Sequence, residues 1–281
     1  MAEVITENTI PVLDHGFVRL DDAMASDLSV VNGARVSFAR HKAEMDESDE
    51  GLIRFLMRDR HGTPFEHNAF RFHVRAPLFV AREWFRHRVG SFNEFSMRYA
   101  KASDEFYVPA PEDVRSQVGK PGAYSFEPVE PELAEQTRKE LQAVYDAAYA
   151  TYNRLVEQGV ARELARLVMP MGAYTEFYWT VNARSLMNFV SLRAAETAQR
   201  EIRRYAQACE RFLAVGVPTD QISVPTLIVH GTDDRVLPIA NGRAIASALP
   251  QHRYIEVPAG GHLLHLEEPD LLAREIVHLL S

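Results

Sequence analysis

Apolar positions along this chain switch repeatedly between two periods. Phe70-Arg71-Phe72-His73-Val74-Arg75 alternates strictly, which predicts a strand with one wet face. Pro131 to Gly159 instead places Leu141, Val144, Tyr145, Ala148, Tyr149, Tyr152, Leu155 and Val156 at helical spacing. That predicts a long amphipathic helix whose tyrosines face a core or another subunit. Phe17 to Leu20 reads as a short strand after the turn Asp14-His15-Gly16, and Gly33 to Phe38 as a helix end or a loop. His41 to Glu50 is polar and acidic, the composition of an exposed loop, and Gly51 to Arg60 is helical with Leu52, Phe55 and Leu56 on one face. His61 to His67 is a turn between helix and strand. Pro77 opens a helix that buries Leu78, Phe79, Ala81, Trp84 and Phe85 and should stop near Gly90. Residues 100–130 are rich in Pro, Ser, Gly and acids and predict a long surface excursion. Beyond the long helix come a short helix over Ala161–Pro170, an aromatic strand over Thr175–Thr180, a helix reaching Arg193, and another over Ala198–Leu213.

Charge changes the picture at one place. Arg86-His87-Arg88 follows the Pro77 helix, and Ser91, Asn93, Glu94, Ser96 and Arg98 arrive within the next ten residues. Basic residues in a last helical turn complement the helix dipole for ~0.3–1 kcal/mol, which accounts for Arg86 and Arg88 but not for the polar string behind them. Clustered guanidinium groups bind phosphate bidentately, so the stretch reads as a floor for anionic nucleotides. Asn182, Arg184, Asn188 and Arg193 give the helix of that region a polar side. Their amides suit the edge of a base or a flavin ring, and the same pattern also suits a solvated face.

The 281 residues carry a net charge of −8, with 46% hydrophobic and 25% charged content. An acidic chain with locally concentrated arginine points to small anionic ligands and away from a nucleic-acid polymer. No run approaches the roughly 18 apolar residues of a membrane span. Met1 to Pro11 lacks the apolar core of a secretory signal. The single cysteine, Cys209, excludes an internal disulfide and fits a cytoplasmic location. It lies in the stripe Ile202, Tyr205, Ala206, Cys209, Phe212, a position for a small core residue rather than a nucleophile.

The string Arg86-His87-Arg88, then seven residues, then Ser96, resembles the signature of the flavin-dependent thymidylate synthases. The resemblance runs over roughly residues 12–213. It also includes Ala34-Arg35-Val36-Ser37-Phe38, Thr63-Pro64-Phe65-Glu66-His67, Phe79 to Phe85, and Thr180 to Phe189. It implies an α+β fold, a helix-rich subunit around a mixed sheet, in a homotetramer with active sites at subunit interfaces. It implies FAD bound by Ser37, His61, Thr63, Glu66, Arg86, His87, Arg88, Glu94, Asn182, Arg184 and Asn188. It implies dUMP bound by Glu83, Arg86, Glu94, Ser96, Met97, Arg98 and Arg166, with Arg193 beside the pyrimidine, favouring ionisation at N3. No metal is implied. The implied reaction makes dTMP from dUMP, with NADPH as reductant and methylenetetrahydrofolate as one-carbon donor. Met97 stands where many members have glycine, and Thr197 where many have histidine.

The resemblance stops near Ala214, which divides the chain into a synthase domain over 1–214 and a fragment over 215–281. Val224 to Pro238, a helix over Ala240–Leu249, a strand over Arg253–Val257 and a helix over Glu268–Leu280 resemble the last part of an α/β-hydrolase, with Asp234 and His262 in the places of its acid and histidine. No Gly-x-Ser-x-Gly elbow occurs, so an esterase is the weaker alternative and an inactive nucleotide-binding chimera another. About sixty residues carry too little core to cover a parallel strand alone. The tail is therefore expected to pack poorly and, in replacing the family's C-terminal segment, to weaken a tetramer.

Overall fold

The computed structural model describes residues 8–120 and 123–213, and beyond them 226–234, 239, 242–243, 246, 252–261 and 264–280. The chain divides into two units, Met1–Leu213 and Ala214–Ser281.

The first unit is α+β. Strands β1 (Thr9–Val12), β2 (Gly16–Met24), β3 (Ala69–Pro77), β4 (Ser91–Glu94) and β7 (Tyr174–Asn182) form one sheet in the order β1-β2-β3-β7-β4. All its pairings are antiparallel rather than mixed. Alternation does what it predicts: Phe72, Val74 and Ala76 of β3 and Phe177, Trp179 and Val181 of β7 point to one side and are buried. Against that side lie α3 (Leu78–Trp84), α6 (Ala183–Arg193) and α7 (Arg200–Leu213). Trp84 stacks on Phe189 with centroids 4.6 Å apart and meets Trp179 edge-on at 5.3 Å. Cys209 is wholly buried on α7, and burial pushes its thiol well above the ordinary range, so it is a core residue.

Four local expectations are corrected. α3 ends at Trp84 with Phe85 as its cap, well before Gly90, so Arg86, His87 and Arg88 lie in the turn beyond the helix. Helix α2 (Glu47–Arg58) begins inside the expected loop, because Asp46 and Asp49 form a capping box. Asp49 is fully buried there, paired with Arg35 and Lys42. The expected excursion over 100–130 contains a hairpin, β5 (Arg115–Lys120) with β6 (Ala123–Pro128). Thr63–His67 is a 3-10 helix rather than an open turn. The remaining helices are α1 (Asp27–Arg35), α4 (Pro131–Glu157) and the short α5 (Arg162–Ala165). Tyr145 and Tyr152 of α4 are buried, as the stripe predicts, while Val144 of the same stripe is exposed.

In the second unit β8 (Thr226–Gly231) pairs in parallel with β9 (His252–Val257), and α8 (Leu264–Glu267) and α9 (Pro269–Leu280) follow. Asp234 lies 3.6 Å from His230. His262 and most of the expected helix over 240–249 fall outside the described residues.

Candidate active site

A cleft of about 760 Å³ opens where the turn after α3 meets α6. The edges of α6 explain its polarity. Leu186, Phe189 and Val190 face the core, which turns Arg184, Asn188 and Arg193 the other way, toward the cleft. Asn182 caps the helix, its side-chain oxygen accepting from the Ser185 backbone N–H at 2.8 Å. The amide nitrogen of Asn182 is thereby aimed as a donor while its oxygen stays engaged.

Eight predicted residues line this cleft: Glu66, Arg86, His87, Arg88, Asn182, Arg184, Asn188 and Arg193. Arg193 is the most constrained. Its Nε donates to Nε2 of His87 at 2.9 Å, and Nη1 pairs with Glu83. The His87 ring meets Phe189 edge-on at 4.9 Å. Burial first, and the Arg193 charge second, hold His87 below the ordinary imidazole value, so its Nε2 is a neutral acceptor. Arg184 pairs with Glu66 and lies across Gly62, where a Cβ would sit 2.5 Å from its Nε. Among the described residues Arg86 and Arg88 have no ion pair, which leaves two guanidinium groups directed at the cleft without a carboxylate partner.

The other predicted residues do not line the cleft. Ser37 is exposed in the turn Val36–Phe38, His61 packs edge-on against Phe55 at 5.5 Å, and Thr63 opens the 3-10 helix that carries Glu66. Glu94 ends β4, Ser96, Met97 and Arg98 follow it, and Arg98 and Arg166 both reach Glu163. Ser96 Oγ accepts from the Arg98 N–H at 3.3 Å, and Arg98 lies 3.7 Å from Glu163. Arg166 Nε donates to the Glu163 carbonyl at 3.4 Å. Met97 packs with Ala102, Tyr152 and Ala165, so a bulky side chain at this position is absorbed by a local apolar cluster.

Sequence reasoning missed Gly62, Glu163 and Thr175, and the cleft residues Val89, Trp179, Ser185 and Leu192. Thr175 and Trp179 left a signal in the alternation of β7, and Val89 and Ser185 lie inside the motif stretches that carry the resemblance. No group of His, Cys, Asp and Glu among the described residues could hold a metal ion. No helix among them is long and apolar enough to cross a membrane.

Arginines and amides around an open cleft at a sheet edge define a protein that takes anionic, hydrogen-bonding ligands. Residues 19–219 match the thymidylate synthase complementing protein family. A flavin-dependent thymidylate synthase of Thermosipho africanus is 49% identical over 195 residues, 69% of this chain and 84% of that one. The Thermus thermophilus enzyme of that name is 47% identical over 210 residues, 75% of this chain and 76% of its own. The crystal structure of PolB from Streptomyces cacaoi, a UMP/dUMP methylase bound with 5-Br UMP, superposes with a TM-score of 0.67 at 42% identity, covering 74% of this chain and 93% of PolB. This chain belongs to the family of flavin-dependent thymidylate synthases.

Proposed function

We propose that this chain is a methyltransferase that converts dUMP to dTMP, using a bound FAD, NADPH as reductant and methylenetetrahydrofolate as one-carbon donor. The observation that carries the reading is the convergence of Glu66, Arg86, His87, Arg88, Asn182, Arg184, Asn188 and Arg193 on one cleft in a member of this family. Donor chemistry fits a flavin dinucleotide: guanidinium groups for its phosphates, and amides of Asn182 and Asn188 for a ring edge that both donates and accepts. His61 and Thr63, just before Glu66, and Ser37, in the turn Val36–Phe38, extend that contact. When bound, the flavin supplies the reducing equivalents, and the protein positions the partners.

Arg193 does the electrostatic work. Negative charge that develops at the uracil N3 edge is stabilised by a cation placed there beforehand, and His87 and Glu83 place it. Glu94, Ser96, Met97, Arg98 and Arg166 take the nucleotide, the arginines pairing with its phosphate. A complete site combines residues of more than one subunit of a homotetramer. A thiolate route through Cys209 is ruled out by its complete burial.

The reading is tested on the purified protein. It should be yellow, with flavin absorption bands, and should oxidise NADPH and form dTMP only when dUMP and methylenetetrahydrofolate are present. Colourless protein that binds neither FAD nor dUMP after refolding with excess FAD overturns it.

A further inference from the structure

Thr175 stands on β7 in the row that points into the core with Phe177, Trp179 and Val181, and it is 2% exposed. A hydroxyl in such a row needs a partner, since an unpaired polar group there costs the bond it gave up in water. Its partner is a charge from outside the core: Thr175 Oγ1 donates to Oε1 of Glu94 at 2.8 Å. Glu94 ends β4, opposite Phe177, and the next N–H, that of Phe95, donates to the Glu176 carbonyl at 2.8 Å. The sheet thus fixes the backbone at Glu94, while the carboxylate, on an exposed residue, is fixed by Thr175.

We infer that Thr175 is a positioning residue for the nucleotide site: its buried hydroxyl sets the orientation of the Glu94 carboxylate and so the approach of the segment Glu94–Arg98 to substrate. The inference rests on the proposed role of Glu94 in binding dUMP. A long, exposed glutamate otherwise samples several rotamers, and a ligand must then select one of them, which weakens binding by the fraction of time the competent rotamer is absent.

Calorimetric titration of the full-length protein with dUMP, alongside steady-state kinetics, separates the possibilities. Thr175→Val keeps the volume and removes the donor. It should raise the dUMP dissociation constant and KM about tenfold, with kcat changed less than about twofold. Thr175→Ser restores the donor and should restore binding. The double variant Thr175→Val with Glu94→Gln should bind no worse than Glu94→Gln alone, because a residue acting through Glu94 has nothing left to position. Thermal midpoints report the fold, and if Thr175→Val melts early, Thr175→Cys, a weak donor of similar size, should give an intermediate loss. Normal binding by Thr175→Val together with impaired binding by Glu94→Gln overturns the inference alone. Normal binding by both overturns the role of Glu94 and the inference with it.

Discussion

The two units of this chain bury their residues very differently. The first hides Trp84, Trp179, Tyr152, Tyr205, Phe72, Phe177 and Phe189 almost completely. In the second, the buried apolar side chains among the described residues are Ala246, Val257 and Leu264, and Thr226 to Val229 of β8 are only half-buried. Parallel strands normally lie under helices on both faces. The difference teaches where chemistry is affordable. The arginine proposed to act on substrate works only if the groups that aim it are rigid, and Arg193 is aimed by His87, which leans on Phe189 of the dense core.

The largest effect that tests this contrast is on turnover. Arg193→Ala should lower dTMP formation by ~10²–10³, the cost of removing one preorganised charge-stabilising group, while the protein stays yellow. Asp234→Asn, in the second unit, should leave turnover unchanged. Turnover lost in Asp234→Asn would give the second unit a share of the chemistry. Unchanged turnover in Arg193→Ala would remove that residue from the mechanism.

Next in size is stability. Trp84→Ala should cost about 3–5 kcal/mol, since it opens a large cavity between Trp179, Phe177 and Phe189. Leu264→Ala should leave the unfolding transition of the first unit where it was. Limited proteolysis should cut first within 214–281, whose described residues bury fewer side chains, and spare the rest. Equal resistance throughout the chain would erase the contrast.

Much of the first unit was legible because its sheet buries one face, which forces strict alternation on Phe70 to Arg75. The hairpin over 115–128 was not, because its described side chains are mostly exposed and leave no periodic trace. Asp46 and Asp49 did carry a start signal three residues apart, hidden in an acidic stretch that suits a loop equally well. The helix before Arg86 looked longer than it is because Phe85 continues its apolar side. The composition of the proposed site came from the resemblance to the family; its assembly did not. Nothing local brings Glu66 to Arg184, 118 residues away, or Glu83 to Arg193. Those meetings depend on β3 and β7 pairing in register.

A smaller effect follows from Gly62. The Arg184 side chain crosses it so closely that Gly62→Ala must push the guanidinium aside, and a flexible side chain can yield without disturbing the backbone. The expected outcome is an unchanged thermal midpoint with about tenfold weaker FAD binding, ~1.4 kcal/mol. Unfolding would instead mean that Arg184 is as fixed as the core.

The smallest effect is the pH dependence of His87, and it asks how far the rigidity of the core reaches into the cleft. Burial and the neighbouring Arg193 hold its folded value below the ordinary 6.5. The unfolded chain therefore binds more protons in the interval between the two values, and stability rises with pH across it. Above the ordinary value both states are neutral at this position and its contribution is complete; as pH falls through that value toward the folded one, stability is lost. Protonation also removes the Nε2 acceptor, so Arg193 loses a restraint and gains a like-charged neighbour. His87→Gln keeps a side-chain acceptor for Arg193 and cannot titrate. The fall in thermal midpoint between about pH 7.5 and pH 5.5 should be shallower in the variant than in the parent. The acid side of the kcat profile should flatten in step. Parallel melting curves in the two proteins would mean that His87 exchanges no proton on unfolding in that range, and that the cleft is wetter than its position on Phe189 implies.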